Sequence, residues 1–429
     1  MDLLQYVSQA VTPHQAVAVG AEFLKEKGFE ELTLGRAFSI KKGGRYYLKA
    51  YSTSFIAFTV GEEAQENQNF HVAAAHTDHP CLHIKPKAEL TPGKYLKIDT
   101  EVYGGPILNT WLDRPLSIAG RVACKGVDVY HPEIKLVDFK RAVATIPNLA
   151  IHFNRKVNEG IELNKQSDML PVIGLFEESM NKNNYFLELL AKECGTTPEE
   201  ILDFDLYVYV LEEGCYIGVQ EEMISAPRLD NLTSCFALLQ GISGPIRQDG
   251  INVAVLFDHE EIGSRSKQGA DSALLQMVLE KIYTALNFDK NALSDSIFNS
   301  FLFSVDVAHA VHPHHAEKYD PVNQAHFNEG IVLKLNSNQR YTFDTEAVAI
   351  AQGICEAFEV KYQKFANRSD VAGGGTLGPI ISGWLPMKTV DIGVPILAMH
   401  SARELMGRKD QEYLERLMTG FFSDECLKA

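Results

Sequence analysis

The stretch INVAVLFDHEEIGS (residues 251–264) joins an unbroken apolar run to two adjacent glutamates, Glu260 and Glu261. An apolar run without alternation is typical of a strand buried on both faces, as in a parallel sheet. The dipeptide Glu-Glu carries no information by itself, because it recurs in this chain in polar, helix-like or loop surroundings. Only at 260–261 does it directly follow a strand of this kind. Two like charges therefore stand where a strand leaves the core.

Similar strands recur along the chain and alternate with helical segments. FHVAAAH (70–76) and FLFSVDVA (301–308) are further apolar runs. Helices are predicted from Pro13, after Thr12 as N-cap, to about Lys27, and over 270–287 and about 345–359. This alternation predicts an α/β fold in which helices cover both faces of the sheet.

A segment of different character interrupts this alternation of strands and helices. From about residue 84 to 220, short strand-like pieces are separated by Gly and Pro, with one helix near 182–193. The simplest organisation is one α/β domain, 1–84 and 221–429, interrupted by a β-rich insert over 85–220.

Composition narrows the class of protein. The chain has 429 residues, 45% hydrophobic and 22% charged, as in ordinary globular proteins. The net charge of −16 disfavours nucleic acid and anionic membranes as partners. No apolar run is long enough to span a bilayer, and the N-terminus lacks a basic region of a secretory signal. Seven cysteines are spread singly, which indicates a reducing compartment, so a cytoplasmic protein is expected.

Residue types that bind metals follow the apolar runs. In open α/β sheets the carboxyl ends of strands face a common crevice. A histidine at a strand end often caps or packs, an aspartate before a helix is usually an N-cap, and adjacent glutamates are usually solvated. The coincidence at four runs instead favours a two-metal site for zinc or a similar ion. The residues are His76 and Asp78, Glu260 and Glu261, Asp306, His400 after Ile396–Met399, and Asp230 before the helical stretch LTSCFALLQ.

Two other stretches attract attention. HAVHPHHAEKYDP (309–321) contains four histidines, but their spacing fits no standard ligand signature and Pro313 indicates a loop. VAGGGTLGP (371–379) is rich in glycine but lacks the Lys-Ser/Thr of a phosphate-binding loop. Close approach of the backbone to a substrate or to the metal site is one interpretation of the glycines, and a generic turn is the other.

Eight longer motifs, in order and almost end to end, give the chain a specific resemblance to a known family. The chain resembles the aspartyl aminopeptidases, a family of di-zinc metallopeptidases, and looks like a bacterial member. The resemblance rests on HTDHPCLHIKP (76–86), VYGGPILNTWLDRPLSIAGRV (102–122), IPNLAIHFNR (146–155), SAPRLDNLTSCFALL (225–239), LFDHEEIGSRSKQGADS (256–272), SVDVAHAVHP (304–313), LKLNSNQRY (333–341) and LAMHSARE (397–404).

The resemblance implies two divalent metal ions per chain. Zinc is expected, with manganese or cobalt as alternatives. His76 and Asp306 would hold one ion, Glu261 and His400 the other, and Asp230 would bridge both.

Three further residues acquire roles by the same resemblance. Asp78 would accept the ring N–H of His76 and fix its orientation. Glu260 would be the general base, taking a proton from a water held between the metals. His152 would reach into the site of a neighbouring subunit and help to bind the substrate carbonyl oxygen.

Substrate selection is also implied. The family removes N-terminal Asp or Glu from peptides, and Lys334 matches the position that meets the acidic side chain. Arg340 is the alternative residue for this contact, and Asn338 is a neighbour that could tune it. The sequence departs from the family pattern at His79, where serine is usual, and at VAGGG (371–375), where relatives have a stretch with Pro-Cys-Gly.

The implied fold is a mixed sheet flanked by helices with a β-rich dimerisation insert, and the implied assembly is a dimer that builds a tetrahedral dodecamer. The runner-up function is a related di-metal carboxypeptidase or N-acyl amino-acid deacylase, which differs in the end of the substrate that must be free. A non-catalytic scaffold is the rival from another class. The complete ligand set and Glu260 argue against a scaffold, which has no need of them.

Overall fold

The computed structural model describes residues 1–65, 68–178, 180–181 and 184–424. The strands, in chain order, are β1 (Glu30–Glu31), β2 (Arg45–Ala50), β3 (Ser54–Val60), β4 (Phe70–His76), β5 (Cys81–Leu90), β6 (Tyr95–Tyr103), β7 (Leu116–Asp128), β8 (His131–Asp138), β9 (Val172–Leu175), β10 (Ile201–Val210), β11 (Cys215–Ile217), β12 (Met223–Ala226), β13 (Ile251–Phe257), β14 (Phe301–Val305), β15 (Ala308–His309), β16 (Ile331–Leu335), β17 (Tyr362–Ala366), β18 (Lys388–Gly393), β19 (Pro395–Leu397) and β20 (Glu404–Gly407).

The α-helices are distributed along the whole chain. They are α1 (Leu3–Gln9), α2 (Pro13–Glu26), α3 (Tyr185–Cys194), α4 (Leu229–Ile242), α5 (Leu274–Ala285), α6 (Lys290–Phe298), α7 (Thr345–Ala357), α8 (Leu377–Trp384) and α9 (Arg408–Phe421). The helices predicted from Pro13, over 270–287 and over 345–359 are confirmed as α2, α5 and α7. Helix α5 begins at Leu274, later than predicted, because residues 271–273 form bends.

The chain divides into two compact units. The first contains Met1–Asp78, Gly214–Met399 and the stretch from Glu404 onward, and the second contains His79–Glu213 and His400–Arg403. The first unit is built on a nine-stranded sheet with the order β1-β2-β3-β13-β4-β14-β18-β16-β17. Its central strands β13, β4, β14 and β18 run parallel, whereas β3 and β16 pair antiparallel with their inner neighbours. The predicted α/β fold with a mixed sheet is therefore confirmed.

Helices cover both faces of the nine-stranded sheet, which explains the unbroken apolar strands. Residues of α1, α2, α4, α7 and α9 form one hydrophobic core, and residues of α5, α6 and α8 form another. Strand β4 is buried along its whole length. Its side chains alternate, since Ala73 and Ala75 face the first core and Val72 and Ala74 face the second. The prediction of a fully buried parallel strand at 70–76 is confirmed.

The apolar run before His400 belongs to a different sheet from the other three runs, contrary to the sequence-based expectation. Strand β19 lies in a five-stranded sheet with the order β11-β12-β20-β19-β15. The preceding strand, β18, belongs to the nine-stranded sheet, where it pairs with β14. Only Val394 separates β18 from β19. Two apolar strands that follow each other so closely cannot be assigned to separate sheets from their composition.

The second unit contains a six-stranded antiparallel sheet with the order β8-β7-β10-β5-β6-β9. Helix α3 packs into the core of this unit through Tyr185, Phe186 and Leu190. The helix expected near 182–193 corresponds to α3, and residues 182–183 lie outside the described part of the chain.

Within the described residues, the helices are too short or too polar for any of them to cross a membrane.

A histidine inside β4 makes the stability of the fold depend on pH. His71 is 4% exposed, stacks on Phe421 and donates a ring N–H to the Phe421 carbonyl oxygen at 2.7 Å. Burial, together with the charge of the nearby Arg247, lowers the pKa of His71 to about 3, although the hydrogen bond to Phe421 opposes this shift. Below pH ~6.5 the unfolded chain binds a proton that the folded chain rejects. The free energy of unfolding should therefore decrease as the pH is lowered below ~6.5, by at most ~1.4 kcal/mol per pH unit.

The variant His71→Asn tests this prediction, because it retains an N–H donor but cannot take up the proton. Denaturant unfolding should show that wild type loses about 2 kcal/mol more than the variant between pH 6.5 and pH 5. Equal losses in the two proteins would show that His71 does not cause the pH dependence.

Candidate metal centre

Three neighbouring strands of the nine-stranded sheet deliver polar residues to the same edge. Strand β4 ends at His76, β14 ends directly before Asp306, and β13 ends shortly before the turn Glu260–Ile262. These strands are adjacent and parallel, in the order β13-β4-β14. Their carboxyl ends therefore meet, as the sequence predicted.

The imidazole of His76 lies at the centre of the cluster. Its Nε2 atom is 3.5 Å from Asp230 Oδ1, 3.5 Å from Asp306 Oδ1 and 3.9 Å from Glu260 Oε2. Ligand atoms of His76, Asp230 and Asp306 all lie within 4.8 Å of one another. Tetrahedral ligands of zinc, each about 2.0–2.1 Å from the ion, lie roughly 3.3–3.5 Å apart. The spacing and the mixture of imidazole and carboxylate therefore fit one zinc ion.

Asp230 reaches the cluster because its backbone departs from helical geometry. Asp230 and Asn231 have non-helical φ and ψ within the first turn of α4, so Asp230 is not a simple N-cap. The Asp230 N–H donates to Glu404 Oε2 at 3.0 Å, and Asn231 Nδ2 donates to the Val305 carbonyl oxygen at 2.9 Å. A carboxylate oxygen of Asp230 also lies within 4.8 Å of one of Glu261. Asp230 is thus close to ligands of both predicted ions.

Asp78 connects two of the strand ends. Its carboxylate oxygens accept the main-chain N–H groups of Glu260 and Glu261, each at 3.1 Å. His76 Nδ1 is 3.0 Å from the Asp78 main-chain carbonyl and 3.4 Å from Asp78 Oδ1. Because a carbonyl only accepts, Nδ1 carries a proton, and Nε2 is the ring atom available to a metal ion. Asp78 thus orients the ring chiefly through its backbone and the two glutamates through its side chain.

The electrostatics of the cluster favour a cation. Burial alone would lower the pKa of His76, but hydrogen bonds to Asp230, Asp306 and Asp78 raise it well above the ordinary value. Burial and the neighbouring carboxylates raise the pKa of Glu260 to about 8, although the charge of His76 opposes this shift. In the absence of a metal, the cluster therefore holds protons to offset its negative charge.

His400 and His152 both belong to the second unit. His400 has φ 66°, and its Nδ1 atom donates to the Gly105 carbonyl oxygen at 3.1 Å. That contact leaves Nε2 as the ring atom available to a metal ion. His152 is exposed in a turn over residues 151–153. Their roles in a metal site and in a partner's site stay predictions.

Lys334 lies beside the metal cluster rather than at the surface. The residue is 1% exposed, and its ammonium group donates to the main-chain oxygens of Asp306 at 3.3 Å and Val307 at 3.2 Å. It is 4.0 Å from Asp306 Oδ2 and 5.1 Å from the centre of the Tyr341 ring. Arg340, the alternative substrate contact, is exposed and donates to the Gly373 carbonyl oxygen in the glycine-rich stretch. The substrate roles of both residues stay predictions.

Among the described residues, the histidines of the 309–321 stretch do not form a ligand cluster. The ring centres of His312 and His315 are 5.0 Å apart, and those of His312 and His314 are 5.8 Å apart. In the parts of the chain that the structure describes, no group of three or more ligand atoms involves them. His79 is buried in the second unit.

Sequence reasoning missed two residues that hold Asp230 in place. Asn231 and Glu404 stand inside motifs that were examined, RLDN and HSARE, but neither was singled out. Their partners lie 74 and 174 positions away along the chain. Spacing alone gave no signal for such contacts.

A buried imidazole, several carboxylates and a glutamate of raised pKa at the carboxyl edge of a mixed sheet define a metal-dependent hydrolase. Comparison with known families makes the class more specific. The family described as "Aminopeptidase I zinc metalloprotease (M18)" matches residues 6–422. The chain belongs to this M18 family of zinc metallo-aminopeptidases, which confirms the resemblance seen in the motifs.

Individual relatives agree with this assignment over nearly the whole chain. The "Probable M18 family aminopeptidase 2" of Clostridium novyi (strain NT) is 44% identical over 423 residues, covering 98% of each chain. A solved structure described as "Cryo-EM structure of the Ape4 and Nbr1 complex" has a TM-score of 0.94 and 36% identity, and covers 98% of this chain and 84% of that one. The "Structure of S. cerevesiae mApe1 dodecamer" has a TM-score of 0.85 and 26% identity, with 98% and 95% covered.

Proposed function

We propose that this zinc aminopeptidase uses two metal ions and Glu260 as general base to remove N-terminal Asp or Glu from peptides. The observation that carries the proposal is the buried cluster of His76, Asp230 and Asp306, with the Glu260 carboxylate 3.9 Å from His76. A proton-accepting carboxylate beside a ligand cluster is the arrangement that hydrolysis of an amide requires.

Five residues would hold the two ions. His76 and Asp306 would bind the first, Glu261 and His400 would bind the second, and Asp230 would contribute to both. The proximity of Asp230 to His76, Asp306 and Glu261 supports the bridging position. When bound, zinc supplies Lewis acidity that polarises the scissile carbonyl and stabilises developing negative charge.

The protein's own groups carry the proton through the reaction. Glu260 takes a proton from the attacking water and passes it to the leaving amine. Asp78 holds the main chain at Glu260 and Glu261, so the two side chains can point in different directions. The backbone carbonyl of Asp78 keeps the proton of His76 on Nδ1, which leaves Nε2 for the metal.

Metal content is the first expected outcome. Protein dialysed into zinc and washed free of excess ion should contain about two zinc ions per chain by elemental analysis. The variant Asp230→Ala should lose both, because it removes a ligand that the two ions share. One ion per chain at saturation would contradict the bridging position of Asp230.

The acidic preference is proposed to depend on Lys334. Its ammonium group has a third N–H beyond the two bonds to main-chain oxygens, and it is buried beside Asp306. A charge-assisted hydrogen bond from this group to a substrate carboxylate contributes about 1.5–3 kcal/mol, or roughly 10- to 150-fold in specificity. The variant Lys334→Met, which retains most of the volume, should lower kcat/KM for N-terminal Asp and Glu by about this factor.

The control for Lys334 is the response of neutral substrates. N-terminal Ala or Leu should be much less affected by Lys334→Met, and Arg340→Ala should change the preference little. An equal loss on acidic and neutral substrates would assign Lys334 to the support of Asp306. A change of preference in Arg340→Ala alone would make Arg340 the residue that reads the substrate.

We also propose a homo-oligomer in the cytoplasm, with residues 1–84 and 221–429 catalytic and 85–220 forming the dimer interface. The dodecamer named for a 26% identical relative supports assembly. Within the second unit, Val127, Val129 and Tyr130 are 88–91% exposed around the β7–β8 turn, which is unusual for apolar side chains on a monomer. Cysteines spread singly along the sequence suit a reducing compartment. We expect dimers formed through residues 85–220 to assemble further into a dodecamer.

The function is tested with a panel of aminoacyl chromogenic substrates in the presence of added zinc, manganese or cobalt. Substrates with a free N-terminal Asp or Glu should be cleaved fastest, and N-acetylated versions should not be cleaved. Cleavage of blocked substrates, or release of residues from the C-terminus of peptides, would favour the deacylase or carboxypeptidase instead. Equal turnover of all free aminoacyl substrates would contradict the acidic preference alone.

A further inference from the structure

The turn that carries Asp230 is not held by helical geometry. Asp230 has φ −79° and ψ 106°, Asn231 has φ −122° and ψ 31°, and Arg228 before them has φ 59°. The main-chain hydrogen bonds of a regular helix therefore do not fix the direction of the Asp230 side chain. Contacts with other parts of the first unit must do so.

Two contacts of different chemistry hold this turn. Asn231 is neutral, and its Nδ2 atom donates to the carbonyl oxygen of Val305, the residue before Asp306. Glu404 is an acid, and its Oε2 atom accepts the Asp230 N–H at 3.0 Å. Glu404 is 2% exposed and opens strand β20, where it pairs with Ala226. The acceptor for Asp230 is thus a carboxylate fixed on a sheet.

A buried carboxylate is an electrostatically unfavourable acceptor for the Asp230 N–H. A neutral amide oxygen, such as that of glutamine, could accept the same N–H without adding a charge. One more negative charge raises the electrostatic cost of the metal-free centre, and a dication removes that cost. A charged Glu404 would therefore favour the binding of a cation. The first unit already brings five other carboxylates to this centre: Asp78, Asp230, Glu260, Glu261 and Asp306.

We propose that Glu404 is a positioning residue of the metal centre: it orients Asp230 through the main-chain N–H, and its charge raises the affinity of the centre for zinc. This inference rests on the proposed metal site, and it adds to that site a residue that is not one of its ligands. Groups that support metal ligands in this way commonly change metal affinity by about 10- to 100-fold when they are replaced.

The charge and the hydrogen bond can be separated by three substitutions at Glu404. Glu404→Gln retains an acceptor and removes the charge, Glu404→Asp retains the charge, and Glu404→Ala removes both. Zinc affinity of the full-length, metal-depleted protein is measured by competition with a chromogenic chelator. Glu404→Gln should bind zinc about 10- to 100-fold more weakly than wild type. Glu404→Asp should bind zinc more tightly than Glu404→Gln, and Glu404→Ala should lose both affinity and kcat.

A buried carboxylate elsewhere in the first unit provides the matched control. Asp410 accepts main-chain N–H groups of Asn328 at 2.7 Å and Gly330 at 2.9 Å, and neither partner is a proposed ligand. Asp410→Asn should leave zinc affinity unchanged. In Glu404→Gln, by contrast, zinc affinity should fall without a decrease in the melting temperature of the metal-free protein.

Wild-type zinc affinity in Glu404→Gln would overturn the inference and leave the metal site intact. The inference would also be overturned if neither Glu404→Gln nor Glu404→Ala folds, because Glu404 would then be required for folding itself. Failure of the wild-type protein to bind zinc would instead overturn the proposed metal site, and the inference with it.

Discussion

Replacement of Glu260 by Gln is expected to lower kcat by about 10²- to 10⁴-fold while zinc binding stays at the wild-type level. The amide keeps the size and the hydrogen-bonding capacity of the side chain, but it cannot accept a proton from the attacking water. Burial and the neighbouring carboxylates raise the pKa of the Glu260 carboxyl to about 8 in the metal-free centre. A zinc dication nearby would lower this pKa toward the range of a working base.

The adjacent glutamate supplies the matched control for this experiment. Glu261→Gln changes the same chemical group one residue further on, and both main-chain N–H groups are bound by Asp78. Glu261→Gln should lose zinc, and part of its activity should return at high zinc concentration. Glu260→Gln should not be rescued by zinc. Near-wild-type turnover in Glu260→Gln would remove this residue from the proton transfer.

The two variants separate the roles of the adjacent glutamates after strand β13, which are the most distinctive feature of the sequence. Two like charges directly after a buried strand are unfavourable unless each has a separate partner. In the structure the Glu260 side chain approaches His76, and the Glu261 side chain approaches Asp230. The pair is therefore explained by two adjacent positions around one cluster, in which bound cations would offset the repulsion.

The sequence predicted the central part of the fold because the strands there are buried on both faces. Strands β4, β13 and β14 contain apolar runs that end at ligand-type residues, and their parallel order brings His76, Glu260 and Asp306 together. The signal came from the repetition of ligand-type residues after several apolar runs, because each such residue alone has an ordinary explanation as a cap or a solvated side chain.

Other parts of the centre could not be read from the sequence, since they depend on contacts between distant segments. The strand before His400 has the same apolar character as the others, yet it pairs in the five-stranded sheet. Lys334 looks like an ordinary surface lysine in a strand, but it is almost fully buried against the backbone at Asp306. The hydrogen bond from Asp230 to Glu404 joins residues 174 positions apart. No local pattern specifies such a partner.

His152 supports a prediction about the assembly as well as the chemistry. It lies in an exposed turn of the second unit, and its neighbours Leu149, Ile151 and Phe153 are also exposed, Phe153 by 82%. An exposed histidine flanked by exposed apolar side chains suits a surface that a second copy covers. A donor from that copy, aimed at the developing oxyanion, would lower the barrier of the reaction. His152→Ala is therefore expected to reduce kcat by about 10²- to 10³-fold with zinc binding unchanged.

Mixed oligomers distinguish a donor in the same chain from a donor in the partner. His152→Ala subunits retain Glu260, and Glu260→Gln subunits retain His152, so each type lacks what the other has. If the donor crosses between subunits, an equal mixture that is dissociated and reassembled should regain about one quarter of wild-type activity, because in random pairs one site in four receives both groups. The same treatment of either variant alone should restore nothing. A mixture that stays as inactive as its components would place the donor within one chain, and a fully active wild-type monomer would exclude a shared site altogether.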